Sequence, residues 1–198
     1  MTLGSIDRIA SSLGASVHLQ LRWHGEQLDR LIDAAHAALQ TQVAASLMAM
    51  GWLVRVEVSF THYGDRGRVD VLAYHPIRRI LIVLEIKSAL GDLQETLGRL
   101  DMKVRVGRRL AQELGWGDVR AIVPALVIGD SRLARRTVAA HVALFARYNL
   151  RGRTALAWLR RPTHDATGLL WFASRTDSRQ ATNRRAGRAA RGPDSRPV

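Results

Sequence analysis

The stretch GRVDVLAYHPIRRILIVLEIKSAL, residues 67–90, decides how the chain is read. Two runs rich in Val, Ile and Leu flank HPIRR, the pattern of a β-hairpin that turns across 75–79. Into those runs the chain sets Asp70, Glu85 and Lys87, where the pattern calls for apolar side chains. Glu85 and Lys87 are two residues apart and so share one face of their strand. The hairpin brings Asp70, between Val69 and Val71, beside Glu85. An isolated carboxylate or ammonium is costly to bury, so these groups must answer one another, a metal ion or water. Two carboxylates held close favour a hard divalent cation such as Mg²⁺ between them. Lys87 at the rim can orient a water or neutralise charge growing on a phosphate. A polar site at the end of a sheet is therefore expected.

Outward from the hairpin, the spacing predicts helices and further strands. From Glu26 to Met50, Leu28, Leu31, Ile32, Ala35, Leu39, Val43 and Leu47 recur at helical steps, and Gly51 stops them. Residues 52–60 alternate, which predicts a strand with Trp52, Val54, Val56, Val58 and Phe60 on one face. Leu93, Leu97, Leu100, Val104, Ala111 and Leu114 mark a second long helix that ends at Gly115 and Gly117. Residues 120–130 read as another apolar strand, in which Pro124 is the awkward member because it donates no ladder hydrogen bond. A short helix over 5–13, a strand over 17–23, a basic helix over 131–147 and a hairpin of TALAWL (154–159) with GLLWFA (168–173) complete the reading. The order helix-strand-strand-strand-helix-strand, with an appended C-terminal helix and hairpin, is an α/β arrangement around a mixed sheet. The domain organisation expected is an extension over 1–24, one domain over 25–174 and a basic tail over 175–198.

Charge points to a partner. The 198 residues carry 30 Lys and Arg against 17 acids, a formal net charge of +13, which attracts polyanions through counterion release. The last 24 residues hold seven Arg and two Asp with little to pack, so that tail is expected to be disordered; its +5 leaves +8 on the rest. On the second helix Arg99, Lys103, Arg105, Arg108 and Arg109 form a basic side able to grip a phosphate backbone, and Arg132, Arg135 and Arg136 extend it. The absence of Cys excludes disulfides and thiolate zinc sites, and fits a cytoplasmic setting. No stretch has the apolar length of a membrane span and no leader is evident. Phosphate-loop, H-E-x-x-H and G-x-S-x-G motifs are all missing.

Asp70, then Glu85-Ile86-Lys87, within that element order, resembles the PD-(D/E)XK nuclease superfamily, the restriction-endonuclease-like fold that includes archaeal Holliday-junction resolvases. The resemblance covers about residues 26–130. RWHGEQLDRLIDAAHAAL, EVSFTHYGDRGRVDVLAYHP and LGRLDMKVR also look like actinobacterial proteins in which such a domain follows a helix-turn-helix module. What the resemblance implies is Mg²⁺-dependent cleavage of phosphodiester bonds in DNA, with Asp70 and Glu85 as metal ligands, Lys87 activating water and Gln94 assisting. Many members carry a metal-binding Glu on the first helix; the matching position holds Gln40, whose carbonyl oxygen is the implied ligand, and His36 one turn earlier could bind phosphate or a softer metal. Gln40 in place of an acid keeps a second reading open, a catalytically inactive DNA-binding or regulatory protein on the same fold. Whether two copies act together as a homodimer stays open.

Overall fold

The computed structural model describes residues 3–15, 26–62 and 64–174. The strand expected over 17–23, the boundary expected after residue 24 and the tail 175–198 lie outside the described residues. Two compact units are present, Met1–Ile32 and Asp33–Val198. The first contains helix α1, Leu3–Ser12, close to the short helix expected there, and the start of α2, Glu26–Ala49.

The second unit is α/β. The rest of α2 leads into β1 (Leu53–His62), β2 (Asp65–His75) and β3 (Ile80–Lys87). Then come α3 (Leu93–Glu113), β4 (Ala121–Gly129), α4 (Arg132–Ala140), β5 (Leu150–Arg151), α5 (Arg153–Arg160) and β6 (Leu169–Ala173). The six strands form one mixed sheet in the order β1-β2-β3-β4-β6-β5. β1, β2 and β3 pair antiparallel, while β4 joins β3 and β6 in parallel and β5 is parallel to β6. The quoted stretch is the β2–β3 hairpin. Its turn closes with Arg79 N–H donating to His75 O at 2.7 Å, and Arg79 takes the left-handed φ of 57°.

Each face of the sheet carries its own apolar layer. Leu39, Val43 and Leu47 of α2 and Ala155, Trp158 and Leu159 of α5 pack with Val71, Ile82, Leu84 and Ile86. Leu100, Leu110 and Ala111 of α3 pack with Leu72, Leu81, Val83, Phe145 and Tyr148 on the other face. β3 is buried almost throughout, as a central strand covered on both faces must be, so its single acid is conspicuous. Pro124 is accommodated because pairing between β4 and β6 begins only at Ala125, so on that flank no ladder bond is lost.

Three expectations need correction. TALAWL is not a strand but most of α5; Ala155, Trp158 and Leu159 sit at helical spacing and are the buried side chains. Among the described residues the expected C-terminal hairpin is therefore absent, because β5 and β6 pair in parallel across the intervening α5. The basic helix stops at Ala140, and residues 141–147 continue as turns.

β1 departs more instructively. Trp52 and Val54 pack with the α2 layer, whereas Val58 and Phe60 pack with the α3 layer, and Val56 is exposed. A regular strand would keep all five on one face. Glu57 breaks the alternation with a left-handed φ of 54°, which costs an L-residue about 1–2 kcal/mol. β2 switches at the same rung: Val71 belongs to one layer and Val69 to the other, with Asp70 between them. The register Val56↔Val71 and Val58↔Val69 places Glu57 opposite Asp70.

Candidate active site

Asp70 reaches the site by ordinary alternation, since Leu72 and Tyr74, at the same parity on β2, face the α3 layer. The β2–β3 ladder ends at Val71↔Leu84, and one further step of that register faces Asp70 toward Glu85. Beyond it the strands no longer exchange backbone bonds, so Ile86 N–H needs another acceptor. Asp70 supplies one: its Oδ2 accepts from Ile86 N–H at 2.7 Å. Gln40, buried on α2, donates from Nε2 to the Asp70 carbonyl oxygen, also at 2.7 Å. Two backbone groups freed by the splayed strands are thereby satisfied, and Asp70 is held from both sides.

Glu85 is the deepest charge, with its side chain only 3% exposed. Its Oε1 lies 2.9 Å from Lys87 Nζ, and its Oε2 accepts a bond from Lys103 Nζ. Lys103 Nζ is also 3.0 Å from Asp70 Oδ1. A single ammonium from α3 therefore joins two carboxylates from two strands. α3 is brought this close by Gly107, one turn on, where a Cβ would lie 3.1 Å from Val83 and 3.3 Å from Leu81. The N-terminus of α3 is fixed by Asp92, whose Oδ1 accepts from Glu95 N–H at 3.0 Å. On the far side of β3, a Cβ at Gly129 would fall 2.5 Å from Ser88 O, so glycine there lets β4 close against the chain just after Lys87.

The sequence expectations divide accordingly. Asp70, Glu85 and Lys87 converge. Gln40 is adjacent, yet its amide is engaged with the Asp70 backbone as a positioning contact. His36 is half-buried one turn earlier on α2, and Gln94 is exposed on the first turn of α3, outside the cluster's hydrogen bonds. Lys103 corrects the reading of the basic helix face: its side chain is 8% exposed and turned inward. The remaining α3 arginines stay at the surface with acidic neighbours. Arg99 pairs with Glu95 at 2.6 Å, Arg105 with Asp65 at 3.6 Å and Arg109 with Glu113 at 3.0 Å. Arg108 donates to Val119 O and lies 4.0 Å from Asp118. Exposed pairs of this kind contribute about 0–1 kcal/mol each.

Tyr148 is a neighbour that the pattern did not mark. It is 1% exposed in the α3 layer, and its hydroxyl has no hydrogen-bond partner among the described residues. Burial pushes its phenol up to about 12; Arg147 opposes the shift, and the Asp101 and Glu85 carboxylates add to it. The folded protein thus keeps this proton when the unfolded chain, with an ordinary phenol, gives it up. Stability is full below about pH 10 and falls by about 1.4 kcal/mol per unit as pH rises toward the folded value. Tyr148→Phe is expected to remove that alkaline decline and to leave neutral-pH stability unchanged or raised by about 1 kcal/mol. Urea unfolding of both proteins across pH 7–11 reads both effects.

Chemically, the cluster pairs two acids with two ammonium groups. Carboxylates from adjacent strands are the oxygen donors that a hard cation takes, but the position they share is held by Lys103 Nζ. Among the described residues no group of three or more His, Cys, Asp or Glu is placed to hold a metal ion, and no helix is long and apolar enough to cross a membrane. No protein-family model matches the chain, and no curated protein matches it.

Proposed function

We propose that the chain is a Mg²⁺-dependent nuclease of PD-(D/E)XK type, hydrolysing phosphodiester bonds in DNA on a restriction-endonuclease-like core. The observation that carries this reading is the meeting of Asp70, Glu85 and Lys87 at the splayed end of β2 and β3. Asp70 and Glu85 are the residues that would hold the ion, which supplies Lewis acidity toward the phosphate when bound. Lys87, about a third exposed, orients the attacking water and offsets charge on the phosphate oxygens. Gln40 and the Ile86 N–H keep Asp70 in place. Arg99, Arg105, Arg108 and Arg109 hold the backbone of the nucleic acid without reading bases.

The test is nicking of plasmid and branched DNA, with Mg²⁺ or with a chelator, by the wild type and by Glu85→Ala. Cleavage that needs the ion and is lost in the variant supports the reading; absence of cleavage in every metal tried removes it. A second reading, a catalytically silent DNA-binding protein, is favoured by the Lys103 ammonium lying between the two acids. Both readings use the arginine face. If four arginines each neutralise one phosphate, log affinity should fall with log salt at a slope of about −3.6, regardless of sequence. A flat response in fluorescence anisotropy would remove that face from DNA binding.

A further inference from the structure

We propose that Lys103 is the resident cation of the Asp70–Glu85 pair and keeps divalent ions out of it until its ammonium gives way. Every oxygen of the two carboxylates is already engaged. Asp70 Oδ1 and Glu85 Oε2 take Lys103, Asp70 Oδ2 takes the Ile86 N–H, and Glu85 Oε1 takes Lys87. Gln40, the further ligand that the resemblance implies, is tied through its amide nitrogen to the Asp70 backbone carbonyl.

The four charged groups balance formally. A divalent ion added with Lys103 in place would leave two excess positive charges in a largely buried cluster, at separations where like charges repel strongly. Carboxylate oxygens in contact with Mg²⁺ stand about 2.0–2.1 Å from it, so the ion and the bridging ammonium compete for one position. Retreat of Lys103 is not free, since its stem is buried and α3 is seated on Val83 and Leu81 at Gly107. The lysine therefore acts as a built-in competitor for metal.

This inference rests on the acid pair being the working centre, but its test reads metal binding and not cleavage. Mn²⁺ is titrated into the wild type, Lys103→Met and Lys103→Met/Glu85→Gln, and free ion is followed by electron paramagnetic resonance. Lys103→Met is expected to bind Mn²⁺ at least about tenfold more tightly than the wild type, and the added Glu85→Gln should abolish the gain. Wild-type binding as tight as that of Lys103→Met overturns the proposal, as does a folded Lys103→Met without a gain. Should Lys103→Met unfold, refolding in millimolar Mn²⁺ is expected to restore it through the vacated acid pair; failure to do so also overturns the proposal. If Lys103→Met gains the ion and neither protein cleaves DNA, the nuclease reading fails while the role of Lys103 stands.

Discussion

Lys103→Ala is expected to destabilise the protein by about 3–5 kcal/mol in the absence of divalent ions, read as a lowered urea midpoint at unchanged slope. The ammonium is shared by Asp70 and Glu85, and its removal leaves two carboxylates facing each other with little water to screen them. Breaking one side of a buried ion cluster is costly because the partner's desolvation is no longer offset. Lys87 still answers Glu85, and Ile86 N–H still answers Asp70, which keeps the loss below that of two bare charges. The triple change Lys103→Met/Asp70→Asn/Glu85→Gln should recover most of the stability, since it removes the charges together. A loss under 1 kcal/mol for Lys103→Ala would show that the bridge is not a structural element.

On the proposed nuclease reading, Lys87→Ala is expected to lower the rate of DNA cleavage about 10²–10⁴-fold, the range for removing a positioned group that handles a proton or developing charge. Its stability effect should be small, because Lys87 is partly exposed and Glu85 keeps its bond to Lys103. DNA affinity should change by no more than the loss of about one phosphate contact, since four arginines on α3 remain. Initial nicking rates and binding anisotropy on the same preparation separate the two. A full rate with Lys87 absent would remove it from the reaction.

Much of this was legible in the residues themselves. β2, β3 and α3 announce themselves because their apolar spacing is regular over many residues, and charges set into apolar strands stand out for the same reason. The face change in β1 was not legible: Trp52 to Phe60 alternates without fault, and only the φ at Glu57 reveals that the strand turns over. The TALAWL run is too short for alternation and helical spacing to be told apart, and the buried positions settle it as helix. Lys103 escaped for a related reason. A lysine three residues after buried Leu100 and four before buried Gly107 lies on the inward stripe of α3, yet it also continues a row of basic residues. Gln40 was legible as a position, but its work is to donate to a backbone carbonyl.

The paired turnover of β1 and β2 makes the outer part of that ribbon, with Val58, Phe60 and Val69, a clasp over α3. Asp70 stands at the seam. One residue gained or lost in a single strand shifts the two crossings out of step. The ribbon's inner rungs are thus bound to a fixed length.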